Sequence, residues 1–290
     1  MLRGCSFSYA GVSSKEYELE LYYLDDNSDK FVSGSDYEII TDNIPMETEQ
    51  ILYGINHSTK PLEFDIEIFN PYRSITIEEM ANIKQWLFGQ QGWNRLYLDD
   101  DDFMDLYLNC ILIPIEDVAD VTGYRGLRCT AHNISPYWYG EEIITNFTIN
   151  SSAPTLTINV QSQCPTAILP NISFVADNDT SALYIGRKID VYNRTNGSQI
   201  HLDMISDNEN FSDGSEWVYN GKYHYVYNES HNLILPYIAS SLPEVPILYL
   251  DNGENEITMS LYKKTKTYDS ITRFTSASIS YVPMYRIGGF

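Results

Sequence analysis

The chain has 290 residues, 43% of them hydrophobic, and this length and apolar content argue against disorder and suffice for two ordinary domains. Its 40 Asp and Glu residues against 18 Lys and Arg give a net charge of −22 at pH 7. Because a surface of that sign repels phosphate groups, the composition argues against nucleic acid as a specific partner.

Two segments before residue 70 alternate between apolar and polar residues, as strands with one buried face do. They are residues 17–24 and residues 62–69. In the second segment the apolar side chains fall on one face, and Glu63, Asp65 and Glu67 fall on the other. The alternation predicts a sheet with one face in water.

Residues 75–89 are predicted to form a helix within this β-rich sequence. Thr76 and Glu79 have the spacing of a capping box, in which each side chain bonds a backbone N–H of the first turn. We expect Gly89 to end the helix in a left-handed conformation. The apolar residues recur every three or four positions and so share one face; they are Met80, Ile83 and Leu87, with Trp86 beside them. The pattern predicts a short helix packed on a sheet.

Three further strands are predicted after the helix, at residues 95–98, 106–114 and 127–133. Turn residues occupy positions 122–126. Together with the earlier strands, these segments predict a β-sandwich with one helix packed on it, which we assign to residues 1–145.

The second half, residues 146–290, is predicted to contain strands alone. Around residues 141–154 aromatic residues become scarce and small polar residues gather, which is typical of a domain boundary. Two hairpins are each marked by an Asn-Gly pair, which favours a turn with positive φ. They join residues 187–192 to 199–205 and residues 217–219 to 222–227. The last strands are predicted at residues 256–262 and 276–282. Many short strands with turns between them favour a jelly-roll or lectin-like sandwich.

Neither a membrane span nor a secretory signal is predicted. No hydrophobic run approaches the roughly 20 residues that a spanning helix needs, and the first residues, MLRGCSFSYAG, lack an apolar core. We therefore expect a soluble protein made in the cytoplasm, with no membrane partner. Free buried thiols are favoured over a zinc site or a disulfide framework, because the cysteines are scattered and form no CxxC pair. The cysteines are Cys5, Cys110, Cys129 and Cys164.

An acidic run between two predicted strands is the main candidate for a metal site. Asp99, Asp100, Asp101, Asp102 and Asp105 could place several carboxylate oxygens around a calcium ion. The run lacks the glycine and the terminal glutamate of an EF-hand loop, so a solvated acidic turn is favoured. The histidines are spread too widely to favour a metal site; they are His57, His132, His201, His224 and His231. We assign no metal-ligating residue.

Common catalytic motifs are missing from the sequence. It contains no G-x-S-x-G elbow, no glycine-rich phosphate loop and no H-E-x-x-H zinc motif. Paired carboxylates for glycoside hydrolysis are always available among 40 acids, so they carry no weight without geometry. We therefore assign no catalytic residue and no cofactor, and we expect a protein that is not an enzyme.

A row of tyrosines in the second half permits a sugar-binding platform, because flat rings stack on pyranose faces. Tyr223, Tyr225 and Tyr227 alternate along one predicted strand and so share a face. A same-face aromatic row is more often part of a sheet core or of a subunit contact, and that interpretation is favoured.

Several short motifs of the first half occur in a characteristic order. The most specific are WLFG at residues 86–89, YLNC at residues 107–110, and the segment 129–139, which begins CT and closes with PYWY. In this order and spacing, residues 1–139 resemble the N-terminal domain of the distal tail proteins of long-tailed bacteriophages, often called Dit.

This resemblance implies a structural protein of the virion tail tip, assembled in the cytoplasm of the bacterial host. In that family the N-terminal domain, a β-sandwich with a helix, closes into a ring of six copies. The ring joins the tail tube protein to the tail-tip or tail-associated (Tal) proteins, the receptor-binding proteins and the adsorption apparatus, and DNA passes through it. The resemblance also implies a C-terminal galectin-like or carbohydrate-binding sandwich, for which host cell-wall carbohydrate is a candidate partner.

Two other functions stay open from sequence. A free-standing carbohydrate-binding or adhesin module would account for the aromatic second half but leaves the motifs of the first half unexplained. A glycoside hydrolase has the least support, because no particular pair of carboxylates is singled out.

Overall fold

Strands predominate among the residues that the computed structural model describes, which also include one α-helix and two short 3-10 helices. The described residues are 4–23, 37–43, 50–57, 61–121, 123–148, 155–163, 167–176, 184–205, 216–228, 247–265, 269–272 and 274–285. The chain divides into two units, of which the first is Met1–Glu141 with Met284–Phe290 and the second is Glu142–Pro283. The predicted mainly β class is confirmed.

The strands are numbered in chain order. The first unit contains β1 (Phe7–Tyr9), β2 (Val12–Ser13), β3 (Glu20–Tyr23), β4 (Tyr37–Asn43), β5 (Gln50–His57), β6 (Glu63–Phe69), β7 (Asn94–Leu98), β8 (Leu106–Asp120), β9 (Gly123–Asn133) and β10 (Trp138–Gly140). The helix α1 is Ile77–Phe88, and the 3-10 helices are Ser14–Tyr17 and Asp101–Phe103. The second unit contains β11 (Ile143–Asn146), β12 (Thr155–Val160), β13 (Asn171–Ala176), β14 (Tyr184–Asn193), β15 (Gln199–Ile205), β16 (Glu216–Asn220), β17 (Tyr225–Asn228), β18 (Gly253–Thr265), β19 (Asp269–Thr272) and β20 (Phe274–Tyr281), and β21 (Met284–Tyr285) follows.

The large sheet of the first unit is antiparallel, in the order β2-β1-β7-β8-β9-β6-β3, with β10 beside β8 and β21 beside β10. Its two ends meet. Cys5, just before β1, donates its N–H to the carbonyl of Leu21 at 3.2 Å and accepts the N–H of Leu21 at 2.9 Å. The sheet therefore folds over on itself around a core, as the predicted sandwich requires.

Strand β6 shows the alternation that the sequence predicts. Its buried residues are Phe64, Ile66 and Ile68. On the opposite face Asp65 accepts a hydrogen bond from Thr130 Oγ1 at 2.6 Å, and Glu67 pairs with Arg128 Nε at 3.2 Å. The wet face is thus lined by acids that the neighbouring strand β9 partly neutralises.

Helix α1 begins where the sequence predicts. Thr76 Oγ1 accepts the N–H of Glu79 at 3.2 Å, and Glu79 Oε2 accepts the N–H of Thr76 at 2.9 Å, which completes the capping box. The predicted apolar face is confirmed, and its buried residues are Met80, Ile83, Trp86 and Leu87.

Trp86 fixes the helix to the strands below it. Its ring stacks on Phe7, with centroids 5.8 Å apart and planes 6° apart, and on Tyr17 at 5.5 Å and 20°. Its indole Nε1 donates a hydrogen bond to the carbonyl of Tyr9 at 2.9 Å. One side chain therefore ties α1 to β1 and to the 3-10 turn that follows β2.

The predicted ending of the helix is wrong in its geometry. Gly89 has φ −80° and ψ 1°, which is not left-handed. Glycine is required there by close approach instead, because a Cβ at Gly89 would lie 2.4 Å from the backbone carbonyl oxygen of Gln85.

Two predicted boundaries in the first unit also shift. Strand β3 begins at Glu20 and not at residue 17, because residues 14–17 form a 3-10 helix that ends at Glu18 with φ 56°. The turn predicted at residues 122–126 is shorter, since β9 already pairs with β8 at Gly123, opposite Asp120.

The described residues of the second unit form two antiparallel sheets of five strands each. One has the order β11-β20-β13-β16-β17, and the other has the order β12-β18-β14-β15 with β19 beside β18. Each sheet buries alternate residues, for example Trp217 and Tyr219 on β16, and Ile257 and Met259 on β18. This architecture agrees with the predicted β-sandwich class.

One predicted hairpin of the second unit is confirmed, and the other differs in its turn. Strands β14 and β15 pair as predicted, and Gly197 in their turn has φ 78°. Strands β16 and β17 also pair, but the positive φ of their turn, 55°, lies at His224 and not in the Asn-Gly pair. Gly221 is needed because a Cβ there would lie 2.2 Å from the carbonyl oxygen of Pro170.

The ends of the two units differ from the predicted division between residues 145 and 146. The units change between Glu141 and Glu142, and the last residues return to the first unit. The physical reason is strand pairing, since Tyr285 and Met284 of β21 lie opposite Trp138 and Tyr139 of β10.

Candidate assembly surface

Strand β8 lies between β7 and β9, and β8 and β9 continue to pair with each other beyond the point where β7 ends. Strand β7 pairs with β8 only from Tyr107 to Cys110, whereas β9 pairs with it from Cys110 to Asp120. Within the described ranges, no strand pairs with the β7 edge of β8 from Ile111 to Asp120. We call residues 111–128 the arm, of which the structure describes 111–121 and 123–128.

The strand pairing of the arm is irregular. Pro114 has no N–H to offer to another strand, and the register shifts between Pro114 and Glu116 and again between Val118 and Ala119. Such bulges increase local twist and prevent indefinite edge-to-edge pairing. The unpaired edge of β8 is therefore open, but its bulges and proline make it unsuited to regular pairing with a further strand.

Strand β9 of the arm is held by close backbone contacts. The N–H of Ile75, just before α1, donates to the carbonyl of Tyr124 at 2.7 Å. Gly126 lies against β6 so closely that a Cβ would be 2.1 Å from the carbonyl oxygen of Ile68. Glycine at this position lets the arm pack on β6.

Large aliphatic side chains of the arm lie in water. Ile113 is 48% exposed, Ile115 is 51% exposed, and Val121 at the tip is completely exposed. Isolated exposed apolar residues are ordinary, but a group of them on one open-edged hairpin is typical of an interaction surface.

Two acids of the arm are neutralised within the chain. Glu116 Oε1 pairs with Arg128 Nη1 at 2.7 Å, and Asp117 Oδ2 pairs with Lys84 Nζ of α1 at 2.7 Å. A partner could therefore cover Glu116 and Asp117 without burying either carboxylate unpaired.

Sequence reasoning found the strands of the arm but missed its exposure. The signal was present, because apolar residues 111–113 and 115 surround a proline and lead directly into Glu116 and Asp117, which breaks the alternation of a half-buried strand.

A cluster of charged residues lies at the start of α1. Arg73 donates to both oxygens of Glu79, at 2.8 and 2.9 Å, and to Glu18 at 2.7 Å. These hydrogen bonds, led by those of Arg73, lower the pKa of Glu79 from 4.5 to about 2, and they raise the pKa of Arg73. The capping carboxylate is thus held in its charged form.

The acidic run forms a capped turn. Asp100 accepts the N–H of Asp102 at 3.0 Å and starts the 3-10 helix, while Asp99 pairs with Lys15 at 2.6 Å. Across the described part of the chain, which includes Asp101 and Asp105, no three acidic, histidine or cysteine side chains are grouped so that they could hold a metal ion.

The prediction of free buried thiols is confirmed for Cys5, Cys110 and Cys129. Burial raises the pKa of Cys110 to about 12 and, with the nearby Asp100 and Asp99 carboxylates adding to it, that of Cys5 to about 11. Cys164 lies outside the described residues.

Each described histidine ring has its own local partner. The pairs are His132 with Glu63, His201 with Asp190, and His224 with Tyr219. Of His57 only the backbone is described, and His231 lies outside the described residues. The structure thus brings none of the three described rings into a common site.

The tyrosine row lies on β17, the last strand of its sheet among the described residues, and on the turn before it. The rings of Tyr223 and Tyr225 are nearly parallel, with centroids 6.0 Å and planes 12° apart, and Tyr225 and Tyr227 are 5.6 Å and 53° apart. Tyr223 is 61% exposed. Tyr223 and Tyr225 therefore stack on each other, whereas Tyr227 is tilted relative to Tyr225.

Comparison with known proteins relates this architecture to phage tails. Residues 3–135 match the family model of the phage tail protein N-terminal domain. The resemblance to distal tail proteins is confirmed. A search of curated proteins gave no match. In the part of the chain that the structure describes, no helix has the length and apolarity to cross a membrane.

Similar solved structures extend the likeness over nearly the whole chain. The Dit (gp 19.1) protein of phage SPP1, described as a paradigm of the hub adsorption apparatus in phages that infect Gram-positive bacteria, has a TM-score of 0.60 at 10% identity, over 97% of this chain and 99% of that one. The phage P2 baseplate in its activated conformation with calcium gives 0.52 at 8% identity, over 98% of each chain, and the same baseplate with strontium gives 0.51 at 8%, over 97% and 98%. At these identities the likeness establishes a shared fold.

Proposed function

We propose that this chain is the distal tail hub of a long-tailed phage. Six copies form a ring that joins the tail tube protein to the tail-tip, tail-associated or receptor-binding proteins of the baseplate. The family match over residues 3–135 and the fold shared with the SPP1 hub protein support this proposal. The protein then acts by its geometry, without catalysis, at the tip of a tail assembled in the host cytoplasm.

The observation that carries the proposal is incomplete strand pairing in the first unit. Strands β4 and β5 form a two-stranded sheet of their own, from Tyr37 opposite His57 to Asn43 opposite Gln50. Neither pairs with another strand among the described residues. A lone two-stranded ladder is marginal in water, and its free edges suit pairing with another chain. Ring assembly would cover these edges.

The net charge of −22 suits a ring through which DNA passes, because an acidic wall repels phosphate and so does not retain the DNA. The same charge makes copies repel one another, so the ring needs contact surfaces that are apolar or locally neutral.

Particle mass and shape test this proposal. The purified chain, alone and mixed with its tail tube protein, is measured by light scattering after size exclusion and imaged by negative-stain electron microscopy. We expect six-fold rings, single or paired, with a central hole. A strict monomer under every condition, including with the tube protein, would refute the hub.

A second candidate, a free-standing carbohydrate-binding or adhesin module, is favoured by one surface. The sheet that ends in β17 alternates buried residues with an outward face on which, among the described residues, Glu216 alone is charged. That face consists of Ile144, Asn146, Asn171, Ser173, Val175, Glu216, Val218, Asn220, Tyr225, Tyr227, Ser276, Ser278 and Ser280. Hydroxyl, amide and tyrosine groups without charge match the chemistry of a neutral polysaccharide.

Binding of a purified neutral cell-wall polysaccharide would test this module. The change Tyr225→Ala with Tyr227→Ala should abolish binding, whereas Tyr192→Ala, at a tyrosine 41% exposed on the other sheet, should not. Binding to the polysaccharide by a chain that stays monomeric would favour the module over the hub.

A further inference from the structure

The arm combines three properties of a contact surface. Ile113 and Ile115 are about half exposed although they lie in a long strand, and Val121 is completely exposed. One edge of β8 has no partner strand from Ile111 to Asp120 among the described residues. Close backbone contacts hold β9 of the arm at Tyr124 and Gly126, so the arm is presented in a defined orientation.

The arm is less acidic than the chain as a whole. Residues 111–128 contain three acids, Glu116, Asp117 and Asp120, and two arginines, whereas the chain has 40 acids and 18 basic residues. Lys84 adds a further positive charge from α1 by its contact with Asp117. Two copies that each carry −22 can therefore approach at the arm with little local repulsion.

We infer that the arm is the contact by which one copy holds the next, with Ile113 and Ile115 covered in the ring; the inference rests on the proposed function. Ring closure by rotation requires a heterologous contact, so the arm of each copy meets a different surface of its neighbour. Pro114 and the two bulges restrict the contact to side-chain packing, since they interrupt the ladder that an added strand would need.

The test replaces the two isoleucines by residues of similar shape that keep a strand preference. Ile113→Thr with Ile115→Thr removes apolar surface, and Thr retains the β-branch. The matched control is Ile143→Thr with Ile144→Thr in β11, where the side chains are 41% and 61% exposed. Circular dichroism and thermal melting establish that both double variants are folded.

The readout is ring mass over a dilution series, by light scattering and mass photometry. We expect the arm variant to need on the order of tenfold or more protein for half-assembly, and the control to match the wild type. Hydrogen exchange should also show slower exchange of the arm peptides in wild-type rings than in the arm variant at equal concentration.

Salt separates an apolar contact from an ionic one. Raising salt to ~0.5 M shortens the screening length to a few ångströms, which weakens repulsion between acidic copies. Wild-type rings should persist to lower protein concentration in high salt. Rings that fall apart as salt rises would overturn the apolar contact.

The outcomes for this inference and for the hub are distinguishable. If the wild type forms rings and the arm variant forms them equally well, the inference is wrong and the hub proposal stands. If the wild type forms no ring under any condition, the hub proposal fails, and this inference fails with it.

Discussion

The docking of α1 onto the sheet depends on Trp86, and truncating that side chain tests how the helix is held. Trp86 is 7% exposed, lies between the rings of Phe7 and Tyr17, and donates to the carbonyl of Tyr9. The change Trp86→Ala removes all of these contacts at once and leaves a cavity between the helix and β1.

The size of the loss follows from the contacts. Truncating a buried Trp to Ala costs about 3–5 kcal/mol of unfolding free energy. Within that range, each ring pair accounts for about 0.5–1.5 kcal/mol and the indole hydrogen bond for about 0.5–1.5 kcal/mol. Domains are stable by about 5–15 kcal/mol, so the first unit should lose a large part of its stability. Trp86→Phe keeps a ring, loses the N–H donor and should cost about 1–3 kcal/mol.

Urea unfolding, followed by tryptophan fluorescence and circular dichroism, measures both changes. The control is Trp93→Ala, because Trp93 is 42% exposed and its ring stacks only at the surface, 5.7 Å from the His132 ring. We expect the control to cost below about 1 kcal/mol. If Trp86→Ala costs no more than Trp93→Ala, the helix is not held by this contact and the reasoning is refuted. Trp86→Phe keeps the test decisive should the alanine variant fail to fold.

Three further predictions concern the backbone, acid stability and thiols. Gly126→Ala should destabilise the first unit in urea and lower its thermal midpoint, since the new Cβ would lie 2.1 Å from the carbonyl oxygen of Ile68. Because the pKa of Glu79 is lowered to about 2, its contribution to the free energy of unfolding is complete above pH 4.5 and is lost as the pH falls toward 2. The variant Glu79→Gln should therefore show a smaller change of the urea midpoint with pH across that window than the wild type. Cys110 and Cys129 should resist alkylation until urea unfolds the chain, because burial raises both thiol pKa values.

Local signals in the sequence were sufficient for the helix. The capping box at Thr76 and Glu79 and the periodic apolar face both appear in the structure, because each depends on residues within one or two turns of each other. Gly89 shows the limit of such reasoning. Its position at the helix end was predicted. The close approach of the Gln85 carbonyl, which requires glycine there, depends on the backbone geometry and has no signal in the sequence.

The hairpins show the same division between local and long-range information. Alternation and Asn-Gly pairs predicted that β14 pairs with β15 and β16 with β17. Glycine at position 221 in the second turn is required by the Pro170 carbonyl, which is 51 positions away in sequence and adjacent in the fold. Likewise, the return of β21 to β10 joins residues more than 140 positions apart, and no local pattern marks it.

The open edge of the arm, unlike its exposed apolar residues, could not be recognised from sequence for a related reason. A strand is exposed on an edge only because another strand ends early, and here β7 ends its pairing at Cys110 while β9 continues to Asp120. Periodicity reports which face of a strand is buried, but not whether its edge has a neighbour.

The position of α1 connects the stable part of the first unit to the proposed contact. Trp86 holds the helix to β1, Lys84 on the same helix pairs with Asp117 of the arm, and Ile75 just before it bonds Tyr124 near the tip. An exposed hairpin with two bulges would otherwise sample many orientations, and a ring closes only if each copy presents its contact at the same angle. Helix α1 is therefore placed where it can set the angle at which each copy presents the arm. Loosening the attachment of α1 to β1 should weaken ring assembly even when Ile113 and Ile115 are unchanged.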